Sequence, residues 1–170
     1  NVKKVELSSI KVTKNPNKTE YFEGEELDTT GIVLTATYNN GTTEKITSGY
    51  TCTPTKLTNA GTQTIKVTYG GKETTFTVNV KKVELSSIKI ATKPSKTEYY
   101  EGEELNTTGL VLTATYNNGT TKTITSGYTC TLTKLTSTGE LTIKVTYEGK
   151  EATFTVKVKQ KLDITINDYS

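Results

Sequence analysis

Apolar and polar residues alternate along much of this chain with a period of two. Ile32, Leu34, Ala36 and Tyr38 are interleaved with Val33, Thr35 and Thr37, the pattern of a strand with one face in a core. Asn39-Asn40-Gly41 follows. Asn-Gly between alternating runs signals a tight hairpin, and a type I′ turn, with φ > 0 at both central residues, is expected there. Thr42 to Thr47 reads as the return strand, with Ile46 facing in. Tyr50 and Cys52 share one face of the next segment. Ile65, Val67 and Tyr69 alternate with Lys66 and Thr68, Gly70-Gly71 turns the chain, and Phe76, Val78 and Val80 alternate on the way back. The first strand holds Val5, Leu7, Ile10 and Val12. Its alternation slips at Ser8-Ser9, which predicts a bulge or a strand that changes sheets. The stretch from Asn15 to Gly31, with Pro16, Gly24 and an acidic run, has no clear period and is expected to cross between sheets at an edge. Helical periodicity is absent. Six or seven short strands with regularly spaced turns predict an all-β, two-sheet sandwich.

The pattern then repeats. Val5-Glu6-Leu7-Ser8-Ser9-Ile10-Lys11 recurs as Val83-Glu84-Leu85-Ser86-Ser87-Ile88-Lys89, and Ser48-Gly49-Tyr50-Thr51-Cys52 recurs as Ser126-Gly127-Tyr128-Thr129-Cys130. The offset is 83 − 5 = 78 positions throughout, and about three quarters of the residues in 3–80 are identical in 81–158. Seventy-eight residues is a small domain and too long for a solenoid unit. Each copy buries only about 60–65% of its unfolded surface, so its margin of stability is thin. The expected domains are 1–80 and 81–160, with 161–170 opening a different segment. Asn1-Val2-Lys3-Lys4 matches Asn79-Val80-Lys81-Lys82, as if the chain began in the last strand of a preceding copy. The expectation is a piece of a longer polypeptide, with its neighbouring domains as partners.

Composition narrows the function. β-branched and aromatic residues suit half-buried pleated surfaces, and Met and Trp are absent. Apolar residues make up 32%, and no run approaches the ~18 residues of a membrane span. The net charge of +3 is spread without a basic stripe, so nucleic acid is not an expected partner. There is no His, which removes Ser-His-Asp and Cys-His machinery and the commonest zinc ligand. No Gly-rich phosphate loop is present. No cofactor, metal or catalytic residue is expected.

Tyr21-Phe22-Glu23-Gly24-Glu25-Glu26-Leu27-Asp28-Thr29-Thr30-Gly31, then Leu34-Thr35-Ala36-Thr37-Tyr38 and Asn40-Gly41-Thr42, resemble the bacterial immunoglobulin-like domains of group 3. Gly61-Thr62-Gln63-Thr64-Ile65-Lys66-Val67-Thr68-Tyr69 with Phe76-Thr77-Val78 fits as well. The resemblance covers both copies. It implies tandem immunoglobulin-like β-sandwiches in an extracellular, often cell-wall-attached protein of Gram-positive bacteria. Such domains are commonly strung between catalytic, adhesive or carbohydrate-binding domains and have no catalytic residues of their own. Fold alone does not assign the surface role. Cys52 and Cys130 are not part of the family pattern; they occupy equivalent positions in separate copies, too far apart to bridge. Their strand face makes them small buried residues, against a reading as reactive thiols that no electropositive setting supports.

The strongest polar cluster is Glu23-Gly24-Glu25-Glu26-Leu27-Asp28, repeated as Glu101-Gly102-Glu103-Glu104-Leu105-Asn106. A calcium site and a glycosidase carboxylate pair are the functional readings; a solvated acidic crossing is the plain one. The spacing lacks the EF-hand pattern, and Asp28 becomes Asn106 in the sister copy, which favours the plain reading. Tyr21 and Phe22, with Tyr99 and Tyr100, lie beside this cluster and form a candidate sugar-stacking platform together with Glu23, Glu25, Glu101 and Glu103. Tyr38, Tyr50 and Tyr69, and their counterparts Tyr116, Tyr128 and Tyr147, are better placed as core or sheet-end packing. A Lys–Asn cross-link is disfavoured because Lys66 and Lys144 alternate outward with Thr.

Val78-Asn79-Val80-Lys81-Lys82-Val83-Glu84 joins the copies without a Gly, Pro or Ser run, so little bending and a rod-like, monomeric pair are expected. The expected role is an extracellular spacer or stalk at the cell surface or cell wall. The alternative is an adhesion or carbohydrate-binding module for a glycan, cell-wall polymer or host protein, with the repeat giving multivalency.

Overall fold

A computed structural model describes residues 2–162, and all regular structure among them is strand. The chain divides into two compact units between Val83 and Glu84, three residues beyond the boundary read from the repeat. The segment expected from residue 161 onward lies, but for its first two residues, outside the described part.

Unit 1 has seven strands: β1 (Leu7–Lys14), β2 (Glu20–Phe22), β3 (Val33–Tyr38), β4 (Thr43–Ile46), β5 (Thr51–Thr53), β6 (Gly61–Tyr69) and β7 (Lys72–Lys81). One sheet has the order β1-β3-β4 and the other β2-β7-β6-β5. All pairings are antiparallel except β2 with β7, which run parallel. Unit 2 repeats this with β8 (Leu85–Thr92), β9 (Glu98–Tyr100), β10 (Val111–Tyr116), β11 (Thr121–Ile124), β12 (Thr129–Cys130), β13 (Gly139–Tyr147) and β14 (Lys150–Lys159). Its sheets are β8-β10-β11 and β9-β14-β13-β12.

The expected inward residues form the core. Ile10, Ile32, Leu34, Ala36 and Ile46 come from one side and Ile65, Val67, Phe76, Val78 and Val80 from the other, and all are buried. Apolar residues facing one another across two sheets are what make a sandwich stable. Leu57 and Tyr21 complete this core from less regular chain. The equivalents in unit 2, including Leu135 and Tyr99, are buried in the same way. Half-buried Tyr38, Tyr50 and Tyr69 pack against the core margin.

The slip at Ser8-Ser9 is a register shift in the β1–β3 ladder between Leu7 and Ser9. The crossing from Asn15 to Gly31 carries the chain from the sheet of β1 to that of β7, and its middle pairs there as β2.

Three expectations need correction. Val5, expected in the first strand, precedes β1 and is exposed. In its place Asn39 holds the leading segment, its side chain accepting from Glu6 N at 3.2 Å and donating to Lys4 O at 3.0 Å. The Asn39-Asn40-Gly41 turn is not type I′, because only Gly41 has positive φ (+81°). Gly41 N donates to Tyr38 O and Tyr38 N to Thr42 O, both at 2.9 Å, the three-residue loop in which one left-handed glycine forms a bulge. Asn40 does not take positive φ, and its side-chain oxygen accepts from Thr42 N at 3.1 Å and Thr42 Oγ1 at 2.7 Å. The type I′ signature sits instead at Gly70-Gly71, where φ is +53° and +76°. Cys52 and Cys130 are half-buried free thiols rather than fully buried ones, since β5 and β12 are edge strands. Burial still pushes both thiols up from their ordinary pKa, away from the reactive thiolate.

Candidate functional site at the acidic crossing

β2 is three residues long, and a network of polar contacts keeps it in place. After it the chain turns, with Gly24 at φ +88° and Glu25 N donating to Phe22 O at 3.2 Å. The Glu25 carboxylate closes the turn: Oε2 accepts from Phe22 N at 2.6 Å and Oε1 from Lys18 Nζ at 3.0 Å. The backbone donor, then Lys18, holds its pKa below the usual carboxylate range. Lys18 Nζ also lies 4.5 Å from the Tyr21 ring centroid, a cation–π distance. Beyond the turn, Gly24 N donates to Leu57 O and Leu57 N to Glu25 O, at 2.7 and 2.9 Å. These bonds anchor Leu57 in the core.

Tyr21 is 1% exposed and Tyr99 2%. The Tyr21 hydroxyl accepts from Asp28 N at 3.1 Å and lies within donating distance of Lys18 O (3.1 Å) and Asp28 O (3.2 Å). One phenol thus ties both ends of the crossing together, and its ring is unavailable to a ligand. This corrects the placement of Tyr21 and Tyr99 on a candidate sugar platform. The tyrosine fills the space between β2 and the loop that follows, and alternation could not show this in so short a strand. Asp28 Oδ1 accepts from Thr30 N at 2.9 Å, and Asn106 Oδ1 from Thr108 N at 2.8 Å. The Asp-to-Asn difference between copies leaves this turn contact intact because the turn uses an oxygen that both side chains have.

Glu23 is engaged by its own chain. Its backbone N donates to Lys81 O at 2.9 Å. Its carboxylate accepts from Ala60 N at 3.2 Å and from Val83 N at 3.1 Å, just past the end of β7. Glu25 and its counterpart Glu103 make the same contacts in both units: Glu103 accepts from Tyr100 N at 2.7 Å and Lys96 Nζ at 3.0 Å, and its pKa is likewise lowered, first by the Tyr100 backbone donor. A glycosidase acid needs the opposite shift. Among the described residues no group of three or more His, Cys, Asp or Glu is arranged to hold a metal ion.

Phe22 is half-buried, whereas its counterpart Tyr100 is 55% exposed. Tyr100, Glu101 and Glu103 come together with Gly102, Lys161 and Leu162 around an open cavity of about 550 Å³. Of the eight candidate residues, these three are the ones brought together at an accessible surface.

The profile of the bacterial Ig-like domain (group 3) matches residues 14–80 and again 92–158. The chain belongs to that family. Among curated proteins, the pectate lyase L of Thermoclostridium stercorarium is 32% identical over 159 residues, covering 86% of this chain and 13% of that protein. The exo-beta-1,6-galactobiohydrolase of Bifidobacterium longum subsp. longum is 40% identical over 81 residues, 44% of this chain and 5% of that protein. This bacterial Ig-like pair therefore spans a small fraction of the relatives it matches. Among solved structures, domains 4 and 5 of the S-layer protein SbsC align over 90% of this chain and 98% of theirs, with 17% identity and a TM-score of 0.35. Domains 1–6 of SbsC align over 94% of this chain and 29% of theirs, with 20% identity and a TM-score of 0.37.

Proposed function

We propose that the pair is a non-catalytic spacer in an extracellular multidomain protein, acting through the neighbouring domains of the same polypeptide. The observation that carries this reading lies within each unit. Leu7, at the start of β1, packs beside the Gly70 turn, where a Cβ would come within 2.6 Å of Leu7 Cδ2. The chain leaves from Lys81, at the far end of the ten-residue β7. It enters each sandwich at one end and leaves at the other, so entry and exit within one copy lie about 30 Å apart at ~3.3 Å per strand residue. Of the carboxylates that resembled a reactive cluster, those of Glu23, Glu25, Asp28 and Glu103 accept from backbone donors. The short shares of a pectate lyase and a galactobiohydrolase that the chain matches fit a module carried beside catalytic domains.

The Tyr100 surface supports a second reading, a carbohydrate-binding module, because an exposed aromatic ring borders an open cavity. Titration of the 170-residue chain with glycan and cell-wall polymer fragments separates the two. The spacer reading expects no saturable binding. Saturable binding abolished by Tyr100→Ala overturns it in favour of the binding module.

A further inference from the structure

We propose that each copy is built to carry tension along the chain, with the parallel pair β2–β7, and β9–β14 in the second copy, as the clamp that holds it. The topology makes the case. Chain entering unit 1 runs along β1 and, after the crossing, into β2; chain leaving it is β7. β1 itself pairs with β3, and load that passes it and the crossing reaches β2, which lies beside the outgoing β7 as a parallel neighbour, with Glu20, Tyr21 and Phe22 beside Asn79, Val80 and Lys81. Tension draws β2 toward its start and β7 toward its end, so the two slide in opposite directions along a common axis. Ladder hydrogen bonds of a parallel pair bridge the two strands, evenly spaced and slanted to that axis, and sliding strains them together. Had β2 and β7 been antiparallel neighbours, both would be drawn toward one side and the bonds would open singly.

The clamp is reinforced around the same three residues. Asn79 N donates to Thr19 O at 2.8 Å and Glu23 N to Lys81 O at 2.9 Å, extending the ladder beyond β2 at both ends. Lys81 Nζ pairs with Glu20 at 3.2 Å across the two strands. On its other edge β7 is held by β6 through nine paired positions, from Gly61 with Val80 to Tyr69 with Lys72. Force reaching β2 passes through the Tyr21 hydroxyl into the loop at Lys18 and Asp28. At the two mouths, Asn39 grips Lys4 and Glu6, and Glu23 grips Val83. Unit 2 repeats the parallel register, with Glu98, Tyr99 and Tyr100 beside Lys157, Val158 and Lys159. There Lys159 pairs with Glu98, and the Tyr99 hydroxyl meets Lys96 and Asn106.

The inference rests on the spacer reading for its use, since a spacer transmits whatever load its neighbours bear. Single-molecule stretching of the 170-residue chain from its two ends tests it. Two unfolding events of similar force and similar released length are expected. Tyr21→Phe keeps the ring and removes the hydroxyl, and should speed forced unfolding of one event by about tenfold while leaving the other unchanged. Ile46→Val, in the core but on β4 and away from the clamp, should change neither event by more than about twofold. Drawing unit 1 instead from its amino end and a handle at Asn40 peels β1 from β3 one bond at a time, and should need several-fold less force. Equal acceleration by the two substitutions, or equal resistance in the two directions, overturns the clamp. Either result leaves the spacer reading intact, whereas saturable glycan binding removes the spacer and leaves the clamp.

Discussion

Glu25 and Glu103 illustrate how an acidic run can serve architecture. Each carboxylate accepts from a backbone N–H three residues earlier and from a lysine. Glu25, Asp28, Glu98 and Glu103 all have lowered pKa values; backbone or hydroxyl donors lead for Glu25, Glu103 and Asp28, and Lys159 for Glu98. The unfolded chain therefore takes up protons near pH ~4 while these folded carboxylates still resist them. Their stabilisation is complete above that range and is lost as pH falls through the lower folded values. With no His in the chain, stability should be nearly flat between about pH 5 and 8 and fall steeply below about 4.5. Denaturant midpoints measured against pH check this. Glu25→Gln should lower the neutral plateau and make the acid limb shallower.

The two hairpins of each sandwich show how turn chemistry acts on whole elements. The β3–β4 loop depends on one left-handed residue, Gly41, whose surroundings leave open space for a Cβ. Gly41→Ala therefore tests conformation without a clash and should cost unit 1 about 1 kcal/mol, read from a denaturant midpoint. The β6–β7 turn uses two left-handed residues, and unit 2 tolerates Glu148 at φ +44° in the first of them. Both hairpins were legible as hairpins, because alternation on either side and a glycine between are local features. Which turn type each adopts was not legible from the Asn-Gly pair. The Asn40 side-chain oxygen takes Thr42 N and Oγ1, and only Gly41 in this turn has positive φ.

Taken as a whole, the chain is one design used twice. The buried sets of the two units correspond residue for residue, with one conservative change, Ile32 for Leu110. Near-identical cores should melt together, giving one calorimetric envelope for the unaltered chain. Tyr21→Phe leaves the part-buried Asp28 N–H without its protein partner and should cost unit 1 about 1–2 kcal/mol. For a domain of this size each kcal/mol lowers the melting temperature by about 4–8 °C. The variant's envelope should therefore split in two, with the upper transition unmoved. A single peak shifted as a whole would mean that the copies unfold as one cooperative body.

The repeat, the strand count, the inward residues of β3, β6 and β7 and the family were all readable from residue order, because each depends on alternation or on motifs within a few residues. Tyr21 and Leu57 were not readable as core: their burial comes from partners brought in by the crossing and by the loop before β6. Nor could alternation reveal that β2 lies parallel to β7, since a three-residue strand has almost no period and its neighbour is nearly sixty positions away. The roles of Glu23, Glu25 and Asn39 share that origin. Charge and polarity are set by residue type, but which backbone N–H a side chain meets depends on how distant segments are folded together.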